Sequence, residues 1–246
     1  MPGTSQRVRD LAGHLLAAPP RSDRTELLDD ADHDPAELAA NFRDIQRVNQ
    51  LLGGTSTIRR HLPHLLDAIP ATRPVTVLDL ATGSADIPLA ILRWARQHGR
   101  QLTIVASDES EPILDLARAK ARDLADISVQ RYDARAVPLP DKQFDIVLCS
   151  LSLHHFSPDD AVHVLREMHR LARTGFILND LRRSRLGYAA AWVASRLTTR
   201  NRLTRNDAPL SVLRAYTPDE LGGLLRRAGI DDARISTHLW FRMAAV

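Results

Sequence analysis

Three acids stand at the ends of short apolar runs: Asp79 in VTVLDL, Asp108 in IVASD and Asp133 after ISVQRY. A carboxylate so placed can accept hydrogen bonds from hydroxyls or an amine and can balance a positive charge. Farther along, His154 and His155 sit side by side in SLHHF, and Asn179, Asp180, Arg182 and Arg183 follow in NDLRR. A histidine titrates near neutrality and can take a proton from a reacting group. Asp180 can orient or deprotonate a hydroxyl, or cap the helix after it. No spacing of His, Asp and Glu reads as a metal site, so no metal is expected.

The segment VLDLATGSADIPLAI (77–91) reads as a buried strand, a tight turn and the start of a helix. A dinucleotide turn of the G-x-G-x-x-G kind would align Ala81, Gly83 and Asp86. The third position then carries a carboxylate at a helix N-terminus, where it would repel a pyrophosphate. No Gly-Lys-Ser/Thr follows, which excludes a P-loop. The turn suits a ligand without phosphates, and its acids suit one with positive charge.

The elements that must position these residues follow from periodicity. Asp34-Pro35 opens a helix whose apolar face carries Leu38, Phe42, Ile45 and Leu52 and which stops at Gly53-Gly54. A second helix is expected over 55–69, kinked or restarted at Pro63. From Pro74 strands and helices alternate. Strands are expected at 75–80, 101–108, 127–133, from 144 and at 175–180, with helices at 87–99, 111–124 and 157–173. That alternation predicts an α/β fold, a doubly wound, mostly parallel sheet covered on both faces. Residues 184–214 read as a helical insertion, and the capping box TPDEL (217–221) opens a helix ending at Gly229. The last fifteen residues leave no room for another helix. Their strand-like halves, 233–239 and 241–246, pair antiparallel or form one bent strand.

In order and spacing these motifs resemble the class I S-adenosylmethionine-dependent methyltransferases over roughly residues 74–246. Within that family the chain is similar to the ubiquinone/menaquinone-biosynthesis type. The first motif reads Asp79-Leu80-Ala81-Thr82-Gly83-Ser84-Ala85-Asp86. Alanine at position 81 is familiar there, whereas Ala85 departs from the usual glycine and could crowd a close ligand. The resemblance implies S-adenosylmethionine as cofactor, held by Asp79, Ala81, Gly83, Asp108, Glu109, Asp133, Ala134 and Ser150. Asp108 would receive the ribose hydroxyls. Asp133 would take the adenine amino group, with Ala134 offering its backbone. Each acid also has a local reading: Asp79 capping the turn, Asp108 as a helix N-terminal acid, Asp133 in an Asx-turn. Asp141 and Asp145 are expected to serve turn and fold.

The candidate catalytic residues are His154, His155 and Asp180. The two histidines are adjacent, so both are not expected to face the ligand. Residues 41–54 are expected to lid the cofactor, with Asn49 and Gly53-Gly54 near its methionine end. With residues 184–214, including Trp192, they would enclose a small acceptor: a phenol, a quinone precursor or a polyketide-like ring. O-methylation is placed slightly ahead of C-methylation. The alternatives are an RNA or protein methyltransferase, and a non-catalytic scaffold whose cofactor site is weakened by Ala85.

Composition bounds these readings. The chain has 246 residues, 44% hydrophobic and 26% charged, with a formal net charge of +3. The expected organisation is a flexible tail over 1–22, a helical cap over 23–72 and a cofactor-binding domain over 73–246. One cysteine, Cys149, excludes an internal disulfide. With no signal-peptide pattern and no membrane span in the sequence, a cytoplasmic protein is expected. Arginines cluster between Arg182 and Arg214, against the single acid Asp207. They form a solvated helical face or a surface for an acidic substrate or acidic carrier protein. There is no aromatic stacking platform for nucleic acid.

Overall fold

The structure is a computed structural model and describes residues 18–30 and 32–246. Its centre is one seven-stranded sheet. The strands are β1 (Val75–Leu80), β2 (Leu102–Asp108), β3 (Ile127–Arg131), β4 (Phe144–Ser150), β5 (Ala172–Leu181), β6 (Ile235–His238) and β7 (Arg242–Ala245), in the spatial order β3-β2-β1-β4-β5-β7-β6. The first five run parallel, and β7 is antiparallel to both β5 and β6. Of the two arrangements open for the last residues, they form the antiparallel pair. The order reverses between β1 and β4, which makes their carboxyl ends the natural ligand site.

Eight α-helices occur among the described residues: α1 (Pro35–Leu51), α2 (Gly54–Asp67), α3 (Asp86–Gln97), α4 (Glu111–Ala121), α5 (Pro158–Leu171), α6 (Arg185–Thr198), α7 (Arg202–Arg214) and α8 (Pro218–Ala228). Two hydrophobic clusters fill the two faces of the sheet. One joins β4 and β5 to α5 and α8 through Val147, Leu165, Met168 and Leu224; the other joins β1 and β2 to α2 and α3 through Ile58, Val77, Ile91 and Ile104. None of the helices is long and apolar enough to cross a membrane.

Local chemistry fixes most element ends. Asp34 caps α1 by accepting from the amides of Ala36 and Glu37, Ser157 caps α5, and Thr217 with Glu220 makes the capping box of α8. Three expectations change. Pro63 does not restart α2, which runs through it as one helix. The carbonyl that proline leaves unbonded, that of Arg59, belongs to an exposed residue, so water can satisfy it. Ser110 stands at the N-cap of α4 without a side-chain cap bond. Finally, β5 begins at Ala172, directly after α5, rather than at 175.

Of the expected tail, 1–22, residues 1–17 lie outside the described residues, and the rest is hydrogen-bonded to the fold. Arg183 donates to the carbonyl of Pro19 at 2.7 Å, Arg21 donates to the carbonyls of Arg214, His154 and Phe156, and Ser22 N–H donates to Leu213. The strap formed by residues 18–30 is therefore tied across the carboxyl ends of β4 and β5. Asp207 of α7 holds it from the other side, accepting from the amides of Leu27 and Leu28.

Candidate active site

The turn after β1 explains its own alternation of small residues. Ala81, Gly83 and Ala85 all have positive φ, at 51°, 58° and 59°. Glycine adopts that conformation freely and alanine at a cost of roughly 1–2 kcal/mol. Gly83 is needed for a second reason. A Cβ there would stand 2.9 Å from Cε1 of Phe42, whose ring on α1 lies against the turn. Ala85 is fully buried, and its methyl belongs to the hydrophobic cluster of β1, α2 and α3. The departure at 85 thus packs into the core beneath the turn.

Asp79 is 2% exposed. One of its oxygens accepts from Thr82 Oγ1 at 2.6 Å, while Oδ1 accepts nothing. Burial pushes its carboxyl up to about 7, with Asp86 and Asp108 adding to the rise and Thr82 opposing it. Beside it, Ser150 Oγ and Asn179 Oδ1 are also buried and unpaired. Strand register puts Ser150 beside Asn179, with Asp79 two positions back, opposite Leu148. The carboxyl ends of the three central strands thus present buried oxygens without hydrogen-bond partners.

Asp108 lies one strand over. Its Oδ2 accepts from Gly83 N–H at 3.0 Å and its Oδ1 from Ser110 N–H at 3.1 Å. Burial raises its carboxyl, and those amides oppose the rise. Asp133 makes the Asx-turn of its local reading, accepting from Arg135 N–H at 2.8 Å. It also accepts from the Arg135 guanidinium, which holds its carboxyl below the usual range. Arg135 reaches Glu109 at 3.5 Å, and Ala134 is buried next to it. Asp145 is structural: buried, it accepts from Arg73, Arg173 and both Thr76 groups, and Arg73 holds its carboxyl far below the usual range. Asp141 pairs with Arg170.

The helices before the sheet close on this turn. Asn49 of α1 donates to Asp86 at 3.0 Å, and Lys120 of α4 donates to Ser84 at 2.7 Å and to Gln46. Asn41 donates to Thr204 Oγ1, which in turn donates to Asp44, locking α1 to α7. The arginines of 182–214 are largely engaged within the chain. Arg183 is buried against Glu220 and the carbonyls of Pro19 and Ala215, Arg202 pairs with Glu37, and Arg196 lies 4.0 Å over Trp192. Trp192 itself is 44% exposed.

After β4, Leu151 takes a left-handed φ of 57° and turns the chain into a 3-10 turn, Leu153–His155. Asp180, at the end of β5, accepts from the His154 backbone N–H at 2.9 Å and from its ring Nδ1 at 2.7 Å. Ser184 caps α6, so Asp180 has no capping role there. The two adjacent histidines lie side by side. Their ring centroids lie 4.5 Å apart, and both Nε2 atoms face the carboxylate of Glu26 at 3.8 Å. The reason is the strap, which places Glu26 over both rings and Asp29 at 2.8 Å from His155 Nδ1. Burial opposes charge on His155, but Glu26 and Asp29 outweigh it and raise the ring to about 9. Arg214 sits beneath, donating to the carbonyls of His154, His155 and Arg24. Glu26, Asp29, Arg21, Arg214 and Lys120 were not singled out in the sequence. The one available signal was the pairing of Glu26 with Asp29 three residues on, which is a capping box.

Residues 77–175 match the family described as "Methyltransferase domain". This segment is a methyltransferase domain. The cofactor that the sequence resemblance implies for such a domain is S-adenosylmethionine. The ubiquinone/menaquinone biosynthesis C-methyltransferase UbiE of Escherichia coli is 32% identical over 113 residues, 45% of this chain and 43% of that protein. The match therefore spans less than half of the relative's length. A SAM-dependent methyltransferase from Aquifex aeolicus shares the fold, with a TM-score of 0.54, 17% identity and coverage of 87% of this chain and 97% of that one. So does an O-methyltransferase family 2 protein from Planctomyces limnophilus, with a TM-score of 0.55, 16% identity, and 88% and 62% covered. The side chains of the methyltransferase domain fit its cofactor. Unpaired Asp79 Oδ1 suits an ammonium group, and Asp108 suits hydroxyl donors.

Proposed function

We propose that this chain transfers a methyl group from S-adenosylmethionine to a small-molecule acceptor carrying a phenol, quinone-precursor or polyketide-like ring. The observation that carries the reading is the buried His154–Asp180 pair at the same strand ends as the unpaired oxygens of Asp79 and Ser150. Bound S-adenosylmethionine supplies an electrophilic methyl group on sulfur, so the protein must align the acceptor, exclude water and accept a proton. Asp79 holds the ammonium end. Asp108 takes the ribose hydroxyls, since each carboxylate oxygen has a lone pair beyond those given to Gly83 and Ser110. Glu109, Asp133 and Ala134 flank the adenine, Ala81 and Gly83 let the backbone approach, and Ser150 faces the reacting end.

Asp180 is ionised, because contact with His154 outweighs its burial and holds its carboxyl low. It therefore accepts Nδ1–H from His154 and leaves the Nε2 lone pair as the base. His155 lies beside it, the ring centroids 4.5 Å apart. Because His154 is 3% exposed, an acceptor reaches it only when the strap lifts. Residues 41–54 close over the cofactor, with Asn49 and Gly53-Gly54 at its methionine end, and 184–214 cover the acceptor. A phenolic oxygen fits this chemistry with one proton to remove, which puts O-methylation slightly ahead. C-methylation is the second reading, favoured by the name of the Escherichia coli relative.

The experiment is a labelled-methyl transfer screen over hydroxylated aromatics, quinone precursors and tRNA, with the product located by mass spectrometry. Label in a small aromatic supports the proposal. Label in tRNA alone, or in none of these acceptors while cofactor binds, contradicts it.

A further inference from the structure

Two histidines and a glutamate far apart in sequence converge above β4 and β5, and methyl transfer does not require that convergence. Glu26 is 2% exposed and places one oxygen 3.8 Å from each Nε2 of His154 and His155. This is too long for a hydrogen bond. It is close to the spacing of two ligands on one ion, since donors about 2.1 Å from zinc stand roughly 3.4 Å apart across a tetrahedral angle. The three side chains offer ligand atoms that all lie within 4.8 Å of one another.

The surroundings are those of ligands. Each imidazole is backed at Nδ1 by a carboxylate, Asp180 at 2.7 Å and Asp29 at 2.8 Å. Outer carboxylates of this kind fix the tautomer and direct the Nε2 lone pair at a metal. Here both Nε2 atoms face Glu26, whose buried Oε1 accepts no hydrogen bond. Arg214 lies 3.7 Å from that oxygen, but its donors go to the carbonyls of His154, His155 and Arg24. Among the described ion pairs it is the one guanidinium that reaches Glu26, Asp29 or Asp180.

We propose that Glu26, His154 and His155 bind a divalent transition-metal ion of the zinc class, with Asp180 and Asp29 supporting the two imidazoles. The site stands on these side chains alone, whether or not the chain transfers a methyl group. If the proposed function holds, an ion on His154 Nε2 occupies the lone pair that would receive the acceptor's proton. A second histidine pair supplies the control. His61 and His238 bring their Nε2 atoms to 3.1 Å with Ser236 beside them, on the face of α2 and β6, without a carboxylate.

The test is titration of the full chain, without an affinity tag, with cobalt(II), read by visible absorption. The expected result is a band saturating at about one equivalent and displaced by zinc(II). Glu26→Gln and His155→Asn should each weaken binding by about ten-fold or more, at least the effect of losing an outer partner, while His238→Asn leaves it unchanged. If Glu26→Gln does not fold, His155→Asn decides, since that side chain is 23% exposed. Absence of a band at millimolar cobalt overturns the site. So does a band that survives both ligand variants, or one lost in His238→Asn.

Discussion

Asp180 holds His154 at two points, the ring Nδ1 at 2.7 Å and the backbone N–H at 2.9 Å, with one carboxylate oxygen for each. A side chain gripped this way has one tautomer and one orientation. Asp180→Asn keeps the shape but offers an amide where the ring needs an anion. Methyl transfer in that variant should fall roughly 10²–10⁴-fold, the worth of a positioned base, with cofactor affinity unchanged. Equal loss of cofactor binding would show that Asp180 serves the nucleoside instead.

Asp79 carries the cost of a buried acid. Its folded carboxyl is raised to about 7, above its unfolded value near 4. The folded state therefore keeps a proton that the unfolded state has lost, and stability falls as pH rises from about 4 through about 7. Asp79→Asn should remove that slope and stabilise the cofactor-free protein by about 2 kcal/mol at pH 8, while weakening S-adenosylmethionine binding. Urea unfolding across pH, beside a cofactor titration, reads both. A variant that loses stability at pH 8 would contradict the assignment.

Ala81 and Ala85 share a left-handed backbone but differ in surroundings. Ala81→Gly relieves the strain and should stabilise by about 0.5–1 kcal/mol after the loss of unfolded-state restriction. Ala85→Gly relieves the same strain but deletes a fully buried methyl, which costs about as much. Its stability and its cofactor affinity should both stay near wild type. Markedly tighter cofactor binding in Ala85→Gly would mean that the methyl crowds the ligand after all.

How far the sequence exposed this site follows from where each residue sits. Asp79, Asp108 and Asp133 were legible because each follows a β-branched run, and a parallel sheet lines up its carboxyl ends. Ala81, Gly83 and Ala85 were legible as alternate small residues, though not that all three needed positive φ. The role of the strap was not legible. Asp29 meets His155 across 126 positions of chain, in a short 3-10 segment with no apolar period to announce it. That α2 continues through Pro63 was hidden for a related reason, since the fate of one freed carbonyl depends on which face of α2 meets solvent.

Asp145 gives a prediction about the frame rather than the chemistry. Its buried carboxylate accepts from two arginines and from Thr76, and its folded value lies well below the ordinary one. A depressed acid stabilises above the unfolded value and loses that contribution as pH falls toward the folded one. Asp145→Asn should therefore cost about 3 kcal/mol at pH 7, and the gap to wild type should narrow below about pH 4. Unfolding free energies at pH 7 and pH 3 check this, and a constant gap would contradict it.

The most direct measurement is a calorimetric titration of the chain with S-adenosylmethionine and with S-adenosylhomocysteine, beside the same titration of Asp108→Ala. The account predicts saturable binding of both ligands, weakened in Asp108→Ala by about 1–3 kcal/mol through lost hydrogen bonds to a charged group. No heat at millimolar ligand, or an affinity untouched by Asp108→Ala, would contradict it.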